Sequence, residues 1–145
     1  MTGKVVELEK KKSGTDTAFG FQLLLDLYNC RPGVCDDLDL CYKFLDEIVG
    51  YRGMEKQAPP FIFRSPEERF PDKAGLSGWA PLIESSIVIH TLTLKDFISI
   101  DIYCCKKFDI KKAKDFVIKF FSPQRMDARY ILRGLDYYKK NGSSR

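Results

Sequence analysis

The sequence predicts an α+β fold, an antiparallel sheet with two helices on one face, and three observations support this. Apolar residues recur at three- and four-residue steps over 36–49 and 109–121, the spacing of amphipathic helices. Residues 86–93 and 97–105 are rich in β-branched side chains and flank a short loop, which is typical of a hairpin. The elements follow the order strand–helix–strand–strand–strand–helix–strand, which favours an antiparallel sheet covered by helices.

Composition indicates a single globular, cytoplasmic domain. The chain has 145 residues, 44% of them hydrophobic and 13% aromatic, which suits one domain with a real core. It contains neither a signal peptide nor an apolar run of the roughly 20 residues that a membrane helix needs. The net charge of +4 is concentrated near the termini, without a basic-aromatic stripe, so we expect no nucleic-acid or membrane partner. We divide the chain into a polar tail (1–16), one domain (17–138) and a second polar tail (139–145).

The remaining elements follow from apolar runs and chain breakers. A first strand is predicted over 17–29, and Pro32-Gly33 interrupts the chain after it. A short strand is predicted at 61–63. The segment 65–78 contains two prolines and two glycines, and we expect it to be a surface loop. A last strand is predicted at 128–135.

The predicted hairpin fixes which side chains are neighbours. With a three-residue loop at 94–96, Ser85 lies opposite Cys105 at roughly 5 Å. In the same register His90 and Cys105 point to opposite faces. Ser85 and His90 are five residues apart along one strand, so they can meet only if the strand has a bulge or a break.

Common metal and nucleophile patterns are missing from the sequence. The first three cysteines form no C-x-x-C pair and His90 is the single histidine, so we expect no metal site. The odd number of cysteines, five, predicts reduced thiols. A serine hydrolase places its nucleophile in G-x-S-x-G at a strand-to-helix turn, whereas Ser85 begins a strand.

The segment from Gly75 to Cys105 contains GLSG, then Glu-Ser, a His-Thr pair, and a cysteine fifteen residues after the histidine. With this pattern the segment resembles the core of the prokaryotic S-adenosylmethionine decarboxylases, which are pyruvoyl-dependent. The likeness is strong over about 75–105, and the order of elements is compatible over about 17–135. It implies a two-layer α+β sandwich and a homodimer or higher homo-oligomer with sites at the dimer interface.

The resemblance assigns roles to residues at matching positions. Glu84-Ser85 resembles the self-cleavage site, and Ser85 the future pyruvoyl group. Ser77 and His90 resemble the pair that assists processing, and Cys105 resembles the catalytic proton donor. The spacings of eight, five and fifteen residues match without gaps.

The chemistry that the family performs explains these residue types. Ser85 attacks the carbonyl of Glu84, and elimination followed by hydrolysis leaves a pyruvoyl group on the new N-terminus. This ketone forms a Schiff base with a substrate amine and takes up the electrons of the breaking carboxylate bond, as PLP does elsewhere. A thiol beside it returns the proton. The cofactor is thus the pyruvoyl group made from Ser85, and we expect neither PLP nor a metal.

Two departures from the family pattern concern the substrate. Ser86 stands where bacterial members commonly have histidine, and Leu94 matches a glutamate implicated in holding ribose hydroxyls. Leucine accepts no hydrogen bond, and leaving the hydroxyls unpaired costs binding energy. Phe70 is the candidate for stacking on adenine. Asp101, with Asp26, is a candidate for holding the cationic side chain of a smaller substrate.

We therefore predict a self-processing carboxy-lyase that converts S-adenosylmethionine to its decarboxylated aminopropyl donor for polyamine synthesis. One alternative is a pyruvoyl-dependent ornithine or arginine decarboxylase, which the loss of a carboxylate at Leu94 favours. The other is an unprocessed, non-catalytic homologue that acts as a partner protein. The partners expected for the first two are small amino-acid-type substrates.

Overall fold

The computed structural model describes residues 5–7, 18–50 and 54–139 of the chain. Seven strands and two helices lie within these ranges. In chain order they are β1 (Val5–Glu7), β2 (Gly20–Tyr28), α1 (Leu38–Gly50), β3 (Phe61–Arg64), β4 (Leu76–Leu82), β5 (Ser85–Leu92), β6 (Phe97–Cys104), α2 (Ile110–Phe121) and β7 (Arg125–Arg133).

The strands form one sheet in the order β1-β7-β2-β6-β5-β4-β3. β1 runs parallel to β7, and the other neighbours are all antiparallel. The predicted antiparallel sheet is present and has six strands, one more than the five predicted, because β4 was not expected. β1 adds a parallel edge strand from within the segment assigned to a polar tail. The limits of the single domain, 17–138, stay a prediction.

Both helices cover one face of the sheet and bury their apolar stripes. The stripe residues are Cys41, Phe44, Leu45, Ile48 and Val49 in α1 and Ala113, Val117, Phe120 and Phe121 in α2. The ring of Phe44 lies 4.9 Å from that of Phe121, so the helices also pack on each other. Alternate residues of the central strands, such as Leu25, Ile89 and Ile100, complete the core. No helix in the described ranges is long and apolar enough to cross a membrane.

Aspartate side chains cap the first turns of both helices. The side chain of Asp109 accepts a hydrogen bond from the backbone N–H of Lys112 at 3.0 Å, which caps α2. Asp37 accepts one from the N–H of Leu40 at 2.9 Å, directly before α1. α1 therefore begins at Leu38, two residues after the start of the predicted span 36–49, behind a single 3₁₀ turn at Val34–Asp36.

The segment 65–78 is a surface loop only in part, because its last residues begin β4. Leu76 is buried, and Gly78 lies beneath α1. A Cβ at Gly78 would stand 2.7 Å from Cδ1 of Leu45, so this glycine permits close packing of helix on sheet. The glycines that suggest a turn in the sequence therefore serve packing here.

The hairpin of β5 and β6 has a four-residue loop, 93–96, where the sequence predicts three residues. Asp96 closes it in the left-handed conformation, with φ 45°. The extra loop residue shifts the register by one, so each residue of β5 lies opposite a different residue of β6 from the one predicted, and shares a face with a different set of side chains. Continued to the strand end, this register sets Cys104 opposite Ser85, so the predicted pairing of Ser85 with Cys105 is wrong.

Candidate active site

Ser85 follows a tight turn that joins β4 to β5. Leu82 pairs with Ser85, so the turn consists of Ile83 and Glu84 alone, and both are exposed. Glu84 has a φ of 55°, in the left-handed region that costs a non-glycine residue about 1–2 kcal/mol. The peptide bond between Glu84 and Ser85 therefore lies at an exposed and strained corner of the sheet.

Cys105 lies beside Ser85, although the two are not cross-strand partners. The backbone N–H of Cys105 donates a hydrogen bond to Oγ of Ser85 at 3.2 Å. Cys105 directly follows the end of β6, and its thiol is free and half-buried. The structure thus brings together Glu84, Ser85 and Cys105 at one end of the sheet.

Ser77 and His90 form a second pair on neighbouring strands. They are direct partners in the β4–β5 ladder, and Oγ of Ser77 lies 2.9 Å from Nδ1 of His90. His90 is exposed on the face of the sheet opposite the helices. When Ser77 donates to Nδ1, the imidazole carries its proton on Nε2, which becomes a hydrogen-bond donor.

The two pairs do not meet within one chain. Ser85 and His90 lie at opposite ends of β5, five residues apart, which is about 16 Å along a strand. Residues separated by an odd number of steps also point to opposite faces. β5 pairs without interruption with both neighbouring strands, so it contains no bulge that would bring the two residues together.

The shifted register changes the side chains that accompany His90. His90 pairs with Ser99, and it therefore shares a face with Asp101 and Tyr103. Cys105 lies just beyond the end of β6, so strand alternation does not assign it to a face. The register from which opposite faces for His90 and Cys105 were predicted is nevertheless wrong.

Asp101 lies with Asp26 on this helix-free face. Partial burial raises the pKa of the Asp101 carboxyl, electrostatic interaction with His90 lowers it, and repulsion from Asp26 raises it. Two carboxylates and one imidazole thus influence one another near the centre of the face. In the described ranges, no group of His, Cys, Asp or Glu is arranged to hold a metal ion.

Phe70 and Leu94, the positions associated with adenine and ribose, lie at the other end of β5 from Ser85, whereas Asp101 pairs with Val88 in its middle. Phe70, 41% exposed, precedes β4 and has the charged groups of Arg69 and Lys73 at 5.5 and 5.4 Å from its ring centre. Leu94, 68% exposed, lies in the β5–β6 loop. Because β4 and β5 are antiparallel, both residues lie near the end of the sheet that carries Ser77.

Thr91, the threonine of the His-Thr pair, has a structural role that the sequence did not predict. Among the described residues it is the one buried polar side chain, with 2% exposed. Ile87 and Ile89 precede it on the core-facing side of β5. Thr91 continues the row of inward-facing isoleucines in β5, and this pattern in the sequence could have identified it as a buried polar residue.

Comparisons with known proteins identify the family. The family model described as S-adenosylmethionine decarboxylase matches residues 21–134. The S-adenosylmethionine decarboxylase proenzyme of Pyrococcus abyssi is 30% identical over 118 residues, covering 81% of this chain and 80% of that protein. The proenzyme of Persephonella marina is 29% identical over 120 residues, covering 82% of this chain and 85% of that protein.

A solved structure supports the fold. The crystal structure of the adenosylmethionine decarboxylase from Aquifex aeolicus is similar to this structure with a TM-score of 0.71 and 23% identity. The match covers 87% of this chain and 99% of that one. The predicted two-layer α+β sandwich is thereby confirmed. Since the family model spans most of the sequence, the chain belongs to the S-adenosylmethionine decarboxylase family and is a carboxy-lyase of that type, as the sequence predicted.

Proposed function

We propose that the chain is a cytoplasmic proenzyme that cuts itself between Glu84 and Ser85 and then decarboxylates S-adenosylmethionine for polyamine synthesis. The observation that carries the proposal is the corner at Glu84-Ser85. Ser85 directly follows Glu84, an exposed turn residue in the left-handed conformation. The hydroxyl of Ser85 accepts a hydrogen bond from the N–H of Cys105 at 3.2 Å. A serine hydroxyl next to the carbonyl before it is what an acyl shift requires.

The steps of self-cleavage use the chain's own atoms. Oγ of Ser85 attacks the carbonyl carbon of Glu84, the carbon–nitrogen bond breaks, and the freed amine takes the hydroxyl proton, which leaves an ester. Loss of the Cα proton of Ser85 then expels the Glu84 carboxylate and leaves a carbon–carbon double bond at position 85. Water hydrolyses this enamine and releases ammonia, so residues 1–84 separate covalently from a ketone-blocked 85–145.

The surroundings of Ser85 fit the pyruvoyl group that the family implies. That group supplies an electron sink for the bond to the departing carboxylate. The N–H of Cys105, which donates to position 85 in the uncut chain, is a hydrogen-bond donor for an oxygen there. The half-buried thiol of Cys105 is a proton source next to the same position.

A second copy of the chain completes the site in this proposal. Within one chain the Ser77–His90 pair lies about 16 Å along β5 from Ser85, too far for proton transfer. The helix-free face also exposes large apolar side chains, with 45% of Phe61, 66% of Phe63 and 47% of Trp79 accessible. Such a face suits a partner. Family members pair so that sites form at the dimer interface, which agrees with both observations.

Intact mass tests the cleavage. The wild-type chain of 16.7 kDa should yield two fragments, residues 1–84 and 85–145, the second with a ketone in place of its amine. Ser85→Ala should remain one chain, whereas Ser86→Ala, a matched change at the next residue, should still cleave. A wild-type protein that stays intact after long incubation contradicts the enzyme proposal and favours an unprocessed partner protein.

Mixed variants test the shared site. Ser85→Ala lacks the nucleophile and His90→Ala lacks the imidazole, so neither cleaves alone. If one copy supplies Ser85 and the other supplies His90, mixing the two restores cleavage of the His90→Ala chain. If neither chain is cleaved in a mixture that is shown to contain mixed dimers, the shared site is contradicted.

A second candidate function is the decarboxylation of ornithine or arginine. Leu94 provides no carboxylate for ribose hydroxyls, and Asp101 and Asp26 provide negative charge near His90. Carbon dioxide release from each amino acid distinguishes the two substrates.

A further inference from the structure

Thr91 joins three segments of the chain inside the core. Its hydroxyl donates to the carbonyl oxygen of Cys35 at 2.6 Å and accepts from the backbone N–H of Leu76 at 2.8 Å. Both bonds are buried. A threonine hydroxyl has one proton to donate and lone pairs to accept, so this side chain satisfies both backbone groups at once.

These bonds lie directly behind the Ser77–His90 pair. Leu76 is the first residue of β4 and precedes Ser77, while Thr91 follows His90 in β5. The chain reaches β4 in close contact with Thr91, because a Cβ on Gly75 would stand 1.9 Å from the carbonyl oxygen of Thr91. The start of β4 is therefore held on β5 by Thr91 from the core side.

We propose that Thr91 is a positioning residue, which holds Ser77 against His90 across the sheet. The proposal rests on the proposed function, in which that pair assists self-cleavage. Without the hydroxyl, the N–H of Leu76 and the carbonyl of Cys35 lose a buried partner, which is unfavourable. The first residues of β4 then move away from β5 to find water, and Ser77 moves with them.

The anchor on Cys35 makes the clamp rigid. Cys35 lies in the 3₁₀ turn after β2, is 1% exposed, and its own thiol donates to the carbonyl of Phe97 at 3.7 Å. Thr91 is thus fixed to a buried turn on one side and holds a strand end on the other. Displacement of β4 changes the 2.9 Å contact between Ser77 and His90 before it disturbs the helices.

The single histidine gives a direct readout. The ¹⁵N resonances of one imidazole report its tautomer and the hydrogen bond at Nδ1, without overlap from other histidines. We suggest measuring them in Ser85→Ala protein, which does not cut itself, so that the readout is independent of cleavage. Thr91→Val should shift the His90 resonances toward those of Ser77→Ala. Thr91→Ser, which keeps the hydroxyl, should retain the original resonances.

Thr93→Val is the matched control. Thr93 also loses a hydroxyl bond, to the carbonyl of Ala74 at 3.1 Å, but its backbone N–H keeps that carbonyl paired at 2.9 Å. It should leave the His90 resonances and the cleavage rate unchanged. With Ser85 restored, Thr91→Val should slow cleavage at least about tenfold, part of the roughly 10²–10⁴-fold that a proton-transfer group contributes.

The outcomes separate the two proposals. A Thr91→Val protein with a lower melting temperature but unchanged His90 resonances and cleavage rate overturns the positioning role. A wild-type chain that never cleaves overturns the proposed function, while the imidazole resonances still decide the role of Thr91. If Thr91→Val does not fold, hydrogen exchange of the Leu76 amide in Ser85→Ala protein decides instead. Protection supports the clamp, and exchange at the rate of a free amide overturns it.

Discussion

Leu94→Glu tests the substrate at the position where the chain departs from its family. Leu94 is 68% exposed in the β5–β6 loop, so replacing it removes little packing. The expected change in unfolding free energy is within about 0.5 kcal/mol. Any change in activity then comes from the new carboxylate, which stands where the family's ribose-binding glutamate is expected.

The magnitude follows from the hydrogen bonds that the carboxylate would accept. A hydrogen bond to a charged group contributes about 1.5–3 kcal/mol, which is roughly 10- to 150-fold in affinity. Because position 94 is exposed, water competes, and we expect the lower end, about tenfold. The ribose is remote from the reacting carbon, so the change should appear in KM with kcat nearly unchanged.

The assay is release of labelled carbon dioxide from S-adenosylmethionine, ornithine and arginine. Leu94→Gln, which has the shape but not the charge, and Lys95→Glu, which has the charge one residue away, are the controls. Leu94→Glu should lower KM for S-adenosylmethionine more than either control. An unchanged or higher KM refutes the assignment of this position to ribose binding. If the wild-type protein turns over ornithine or arginine but not S-adenosylmethionine, the proposed substrate is wrong, while the proposed pyruvoyl chemistry is unaffected.

Three further perturbations have defined outcomes. Cys105→Ala should still cleave itself, but its kcat should fall about 10²–10⁴-fold or it should protonate the wrong carbon. Cys104→Ala should show neither defect. Normal kinetics and product from Cys105→Ala exclude its role as proton donor. Phe44→Ala empties a fully buried site and should lower the free energy of unfolding by about 3–5 kcal/mol in urea titration; a loss below about 1 kcal/mol contradicts the packing described. Because burial raises the pKa of Asp101 in the folded state, that state binds the proton more tightly than the unfolded chain, and stability falls as pH rises from the ordinary value of 3.8 through the raised one. Asp101→Asn should remove this fall, and parallel stability–pH curves for the two proteins would show that the shift is absent.

Local periodicity was enough to predict the elements whose side chains alternate cleanly. The stripe of α2 and the isoleucines of β6 each repeat over more than two turns or pairs, so their buried faces are evident in the sequence. β4 lacks such a pattern. Its Gly78 and Pro81 suggest a turn, and the reason for the glycine is a contact with α1 that only the folded chain reveals.

The register of β5 and β6 depends on a detail that composition does not encode. Three- and four-residue loops fit the same stretch of sequence, and the left-handed Asp96 selects the longer one. The length of this loop decides which residues of β6 lie on the same face as His90. The spacing of residues in the sequence was enough to suggest roles for Ser77, Ser85, His90 and Cys105. The separation of His90 from Ser85, in contrast, follows from the unbroken pairing of β5 with its neighbours, which only the structure shows.

The order of the strands determines what becomes of the two pieces after a cut at Glu84-Ser85. Residues 1–84 carry β1 to β4, and residues 85–145 carry β5 to β7, yet the pieces alternate across the sheet. β2 of the first piece lies between β7 and β6 of the second, while β4 lies beside β5. β1 of the first piece also pairs with β7, so separating the pieces means opening four hydrogen-bonded ladders and dividing the shared core. The proposed self-cleavage would therefore turn one chain into an interlocked two-subunit protein. Its subunits would stay together without a covalent link, because they fold as one chain before the cut.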